Sequence, residues 1–314
     1  MSWSLHRWTW RVASPLFVGA TPSGALNRCR VYLPARRLWG ALTAELARHE
    51  AQGDPAYREV GDALRKDVRF SYLYPAEHAG AAWLAWLPQY RAGDGLCWVR
   101  EGSDLAVADR RFRRRLLWTR PGTAIEPDSD SAANGSLRET ECMQTRWRHD
   151  DGSAGDEVAM VGYVLANQGA GLLDQVSAIT TLFIGGDTRY GLGRLERVAM
   201  DPATTVFDAT VELDRDEPYI VTDRLLAHAH PHGEITLCGD QEAVGGWDMT
   251  GQRSDGRDDV RQAPGFQVGG WDMTGQRSDR WMSRPVWMPG SRCQDCCRWA
   301  LLESGMLRLA GGSR

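Results

Sequence analysis

The chain has 314 residues, 42% hydrophobic and 25% charged, enough to bury a substantial core in two domains or one large one. A net charge of −4 at pH 7 and a pI near 6.0 exclude a globally basic nucleic-acid-coating protein, so any RNA site must be a local basic surface. No run approaches the roughly 20 apolar residues that cross a bilayer, Arg7 and Arg11 break up the N-terminal apolar residues, and the cysteine count is an odd seven; these features predict a cytoplasmic protein with reduced thiols.

Taken in chain order, residues 8–12 (Trp-Thr-Trp-Arg-Val) alternate as a strand, and Leu38, Trp39, Leu42 and Leu46 recur at helical spacing after Pro34. The loop between them holds Arg28 and Arg30, and Arg36 and Arg37 follow, with no Asp or Glu from Phe17 to Trp39. This segment can hold phosphate, or its arginines are a solvated surface. An apolar stretch over 70–74 ends at Pro75. The densest basic run, Arg110 to Arg115, includes Arg113 and Arg114 and is interrupted by Phe112 and followed by Leu116, Leu117 and Trp118. It reads as a single-stranded RNA contact with a stacking aromatic, or as an amphipathic element with its aromatic side in the core; either predicts burial of Phe112 or Trp118.

Residues 121–136 are rich in Pro, Ser, Asp and Gly and predict an exposed hairpin or partly disordered loop. Leu172, Leu173, Val176 and Ile179 share a helical face that leads into Gly185, Gly186, Asp187, Thr188, Arg189, Tyr190, Gly191, Leu192, Gly193 and Arg194. The four glycines allow close backbone approach to a phosphate chain, with Arg189 and Arg194 beside them. The bland alternative is a glycine-rich hairpin. No Gly-Lys-Ser/Thr follows, which excludes a Walker loop, and the glycines come after a helix, unlike a dinucleotide fingerprint. Leu195 to Val198 then closes the sheet.

Past Pro202, residues 206–213 read as a strand and 225–238 as further strand material, giving a smaller second domain over 201–314 after a first over 1–200. A 12-residue string occurs identically at 244–255 and 268–279. His228, His230 and His232 would share a strand face with Cys238 nearby, a zinc-like set that Pro231 argues against. Cys293 and Cys296 form a C-x-x-C pair, with Cys296 and Cys297 placed on a helix leading to Leu301 and Leu302; they read as buried free thiols, with zinc as the alternative. No cofactor is expected.

Several of these motifs together resemble the RAMP superfamily, the RNA-binding subunits of CRISPR effector complexes. Residues 14–19 (Ser-Pro-Leu-Phe-Val-Gly) and 31–42, with their proline-led turn into the first helix, are similar to its opening. Residues 123–127 and 132–137, with Glu139 and Glu141, resemble its mid-domain hairpin, and the glycine turn falls where it has a signature glycine loop. Gly246-Trp247-Asp248, Gly270-Trp271-Asp272 and Pro289-Gly290-Ser291 resemble elements of the Cas-five group, which caps the 5′ handle of guide RNA.

The resemblance implies an α+β fold of tandem ferredoxin-like (RRM-like) domains with an inserted β-hairpin thumb and a reduced second domain. It implies a noncatalytic subunit of a type III-D, III-B or type VII-like assembly that binds the crRNA 5′ handle. Its partners would be a Cas-seven-type backbone subunit and a large polymerase-like or nuclease subunit, and Trp271 would support the glycine loop. The carboxylate of target-cutting relatives is missing from residues 17–39. The alternatives are a crRNA-processing endoribonuclease, with His6, His78 or His230 as base, and a scaffold that does not touch RNA.

Overall fold

The computed structural model describes residues 2–20, 23–51, 53–230, 235–242, 265–271, 277–283 and 285–310. Within them the protein is α+β, with four α-helices and mostly antiparallel sheets. The hub is β1 (Trp3–Val12), both faces of which are covered. Trp8 and Trp10 share one face, their rings 4.9 Å apart, and Trp8 stacks on Phe70. Against this side lies α1 (Ala35–Glu50), which begins directly after Pro34 and buries Leu38, Leu42 and Leu46 at the predicted spacing. α2 (Tyr57–Asp67) packs on α1 at Gly61, where the absent side chain admits the Trp39 ring and Trp39 Nε1 donates to the Gly61 carbonyl at 3.1 Å.

The chain continues through β2 (Val68–Phe70), β3 (Tyr74–Ala79), β4 (Ala82–Arg91) and β5 (Gly95–Arg100) to α3 (Asp109–Leu116). Next come β6 (Leu117–Gly122), β7 (Arg138–Met143), β8 (Ala159–Asn167), α4 (Leu172–Ala178), β9 (Thr181–Phe183) and β10 (Arg194–Pro202). The main sheet runs β9–β10–β1–β8–β3–β4–β5 and ends on the short strand Ala106–Ala108, with β2 also paired to β8. Its middle strand β8 is buried along nearly its whole length, which accounts for its almost unbroken apolar run. Two crossovers, through α1 and α4, return the chain to this sheet.

A second sheet contains β11 (Ala209–Glu212), β12 (Tyr219–Arg224), β13 (Arg292–Leu301) and β14 (Leu307–Leu309), in the order β11–β12–β13 with β14 also on β13. One continuous core joins the two sheets. Arg7 of β1 donates to Glu101 at 2.6 and 2.7 Å and to Tyr163 Oη at 2.8 Å, and the Tyr163 ring meets Phe207 edge-on at 4.9 Å. The Pro289-Gly290-Ser291 turn docks on β4. Gly290 has φ +93°, its missing side chain would lie 2.9 Å from the Pro88 backbone, and its carbonyl accepts from Tyr90 N–H.

Three expectations are corrected. Residues 206–213 do not form one strand: Thr205–Val206 turns back on β11 through Phe207, at φ 54°, and Asp208. Cys296 and Cys297 lie on β13, not on a helix, where Cys297 pairs with Thr222 of β12, and Cys296 is exposed instead of buried. The glycine turn follows a strand, since β9 intervenes after α4, and it therefore connects the two strands of an antiparallel pair. Gly265–Trp271 pairs with Arg277–Ser283, placing Trp271 opposite Arg277. The first copy of the repeated string, Asp272 and His232 lie outside the described residues.

Candidate nucleic-acid interface

Three segments distant in sequence meet at one end of the main sheet. They are the loop after β1, the β6–β7 hairpin and the glycine turn. The loop after β1 reaches the hairpin through a short strand at Leu26–Asn27, which pairs in parallel with Glu139 and Thr140 of β7. It reaches the glycine turn through Phe17, whose carbonyl accepts from Gly186 N–H at 2.9 Å. The hairpin reaches the turn through Arg120, which donates to the Tyr190 carbonyl at 3.2 Å.

Most of the glycine requirement here is internal. A side chain on Gly185 would lie 2.3 Å from the Phe17 carbonyl, one on Gly186 2.6 Å from the Phe17 ring, and one on Gly193 2.0 Å from the Ile184 carbonyl. The amides of Gly186, Tyr190, Gly191, Leu192, Gly193 and Arg194 all donate within the protein. Those of Asp187, Thr188 and Arg189 make no hydrogen bond among the described residues. The turn is therefore a braced platform that carries side chains, and only a short part of its backbone is available to an anion.

Those side chains are basic and aromatic. Arg189 and Tyr190 are exposed, and so is Arg194, which pairs with Glu196 at 2.7 Å. On the hairpin, Trp118 and Arg120 lie on one face, two residues apart. Arg138 lies opposite Gly122, two residue pairs beyond Arg120 on the same face, and its guanidinium carbon is 5.3 Å from the centre of the Tyr190 ring. Arg148 approaches the Trp118 ring at 5.0 Å. Among the described residues, Arg28, Arg120, Arg138, Arg148 and Arg189 form no ion pair. In an acidic chain this local excess of positive charge is an electrostatic footprint for polyanions.

The remaining predicted arginines are placed differently. Arg30 is only 7% exposed and is ion-paired with Glu242, and Arg36 is buried with its guanidinium over the Trp39 ring. From that stretch, the surface presents Arg28 and Arg37. α3 is the amphipathic element of the second reading. Phe112 is fully buried and stacks on Trp98 at 4.4 Å, whereas Trp118 stays exposed. Arg113 is held by Asp109 at 2.8 Å and by the Cys29 carbonyl, and Arg114 shares Asp150 with Arg111.

His228 is a core residue. It is buried, with Nδ1 2.7 Å from Tyr72 Oη and Nε2 2.7 Å from Glu242. Burial alone would raise the Glu242 carboxyl, but the His228 hydrogen bond and the charge and hydrogen bond of Arg30 override it and lower the pKa from an ordinary 4.5 to about 2. A depressed carboxyl contributes stability that is fully present above its unfolded pKa. For Glu242, that contribution disappears as the pH falls from about 4.5 to about 2. No group of three potential ligands able to hold a metal occurs among the described residues.

Burial pushes the Cys29 thiol to about 12 and the Cys142 thiol to about 11, so neither is an activated nucleophile at neutral pH. His6 is on β1 and His78 on β3, and neither belongs to the hairpin or the turn. The sequence signal for Arg120 and Arg138 was the alternation Trp-Thr-Arg and Arg-Glu-Thr-Glu-Cys on either side of the loop. It becomes meaningful only once hairpin register places them on one face.

No family model matches the chain, and no curated protein matches it. Among solved structures, one chain from the cryo-EM structure of the type III-B Cmr-beta bound to cognate target RNA and AMPPnP, state 1, is similar at 12% identity. That match covers 92% of this chain and 85% of the other, with a TM-score of 0.46. Chains from Cmr-beta bound to cognate target RNA and from its apo state each cover 62% of this chain and 96% of the other. Their identities are 12% and 11%, and their TM-scores 0.40 and 0.39.

Proposed function

We propose that this chain is a noncatalytic RNA-binding subunit of a CRISPR effector complex that grips the 5′ handle of the guide RNA and caps the filament of backbone subunits. The observation that carries the reading is the convergence of five arginines without ion pairs, with Trp118 and Tyr190, where the loop after β1, the hairpin and the glycine turn meet. These are the three segments on which the sequence resembles RAMP subunits. The order β10–β1–β8–β3, with α1 and α4 as crossovers, supports a ferredoxin-like first domain, and the β6–β7 hairpin supports the inserted thumb. The second sheet would be the reduced second domain.

In this reading Arg28, Arg120, Arg189 and Arg194 pair phosphates of an unpaired strand, while the braced glycine turn fixes their spacing. The test is to purify the chain with the products of its neighbouring genes and sequence the RNA that accompanies it. Repeat-derived RNA with a uniform 5′ tag is expected. RNA with scattered 5′ ends, or none, would contradict the handle role, and a defined cut made by the isolated chain would overturn its noncatalytic character.

A further inference from the structure

Two of the large apolar side chains left in solvent flank one arginine. Trp118 is 58% exposed and Tyr190 56%. Arg120 is two residues from Trp118 on the same strand face, about 7 Å along it, and is hydrogen-bonded to the Tyr190 carbonyl. Arg148 covers part of the Trp118 ring and Arg138 part of the Tyr190 ring. The stripe thus reads Arg148, Trp118, Arg120, Tyr190, Arg138, alternating cation and ring. A cation–π contact orients an exposed ring without burying it, so much of each ring stays open to a second partner.

We infer that Trp118 and Tyr190 are stacking platforms for two unpaired bases of a single RNA strand, with Arg120 holding backbone phosphate between them. This rests on the RNA-binding reading above and adds to it the part of the ligand that the aromatic rings recognise. Charge favours RNA over a protein partner at this place. At the base of the hairpin Arg120 and Arg138 have no ion pair among the described residues, Glu139 alternates to the other face and Glu141 accepts from Cys29 N–H, while the tip carries Glu126, Asp128 and Asp130 beside exposed Ile125. A nucleic acid would accordingly lie along the base of the hairpin and avoid its tip. Every base has a π-face, so the platforms would tolerate sequence variation at the two positions.

The probe is a short oligoadenylate and a matched oligomer with the same phosphates but no bases. The full chain is expected to bind the oligoadenylate at least about tenfold more tightly, and Trp118→Ala with Tyr190→Ala to abolish that difference. Trp118→Phe should restore most of it. The salt dependence of binding should be unchanged in all of these variants, because no charge is removed. Both rings are exposed, so thermal unfolding should move little and serves as the folding control.

Equal binding of the two oligomers by the unaltered chain overturns the proposal while leaving a phosphate-only grip intact. Loss of a co-purifying protein subunit in the double variant, with base discrimination intact, overturns it in favour of a protein interface. Absence of binding to either oligomer overturns both this inference and the RNA-binding reading. Base-dependent binding without preference for a repeat-derived tag supports the platforms and contradicts only the handle role.

Discussion

Replacing Arg120, Arg189 and Arg194 together by alanine is expected to weaken binding of single-stranded RNA on the order of a hundredfold at moderate salt. The same change should reduce the slope of log affinity against log salt by about 2, since each lost phosphate contact on a single strand contributes about 0.7. The fold should survive. Arg120 and Arg189 are exposed, and the Arg194–Glu196 pair is a surface ion pair of the kind that contributes under about 1 kcal/mol. The control is Arg111→Ala with Arg114→Ala, which removes the same kind of charge from α3. Both of those side chains are exposed and share Asp150, so a change of only a few-fold is expected. Equal losses from the two sets, measured by fluorescence anisotropy across a salt series, would show that the hairpin and turn are not the binding surface.

Gly193→Ala is expected to destabilise the protein by more than about 4 kcal/mol, or to unfold the turn outright. Two penalties coincide there. The residue has φ +80°, a left-handed conformation costing other residues about 1–2 kcal/mol, and its added carbon would lie 2.0 Å from the Ile184 carbonyl. That carbonyl belongs to the residue whose N–H donates to Gly193 O at 2.9 Å, so it cannot move aside without breaking the pair that closes the turn. Gly191→Ala provides the comparison. Its φ is +83°, but nothing lies within 4 Å of the added carbon, so only the conformational cost of about 1–2 kcal/mol remains. Urea unfolding midpoints of the two variants decide the matter. Equal effects would mean that Gly193 serves backbone conformation alone and not close approach to the Ile184 carbonyl across the turn.

These two experiments separate what the sequence makes visible from what it hides. β1 and α1 are legible because Trp8, Trp10, Leu38, Leu42 and Leu46 repeat at the periods of a strand and a helix, and the structure buries all five. The exposed hairpin is legible from its turn-forming composition, and its tip pairs only Ile125–Glu126 with Ser131–Ala132. The glycine turn stands out as well, but its glycines are explained largely by Phe17 and Ile184, neighbours that only the fold supplies. The fate of the arginines is the least legible feature. Nothing local distinguishes Arg28 from Arg30; the partner that buries Arg30, Glu242, is 212 residues away.

Two strand errors have equally physical origins. Residues 206–213 look continuous because Phe207, which takes the positive φ, is not a residue that announces a turn. Around Cys296, a register shift between Thr222↔Cys297 and Arg224↔Arg292 inserts extra residues into β13 and hides its alternation. The shared face of Arg120 and Arg138 is hidden in the sequence for a related reason. They are far apart along the chain and become neighbours only through the hairpin register.

Recognition of the 5′ handle of a guide RNA by this surface is tested most directly by comparing affinities for two RNAs. One carries the repeat-derived 5′ tag from the adjoining array, and the other is the same length with the tag replaced by unrelated sequence. At physiological salt the tagged RNA should bind at least about tenfold more tightly, a discrimination of roughly 1.4 kcal/mol. Indistinguishable affinities would contradict handle recognition and leave a surface that holds single-stranded RNA without regard to its origin.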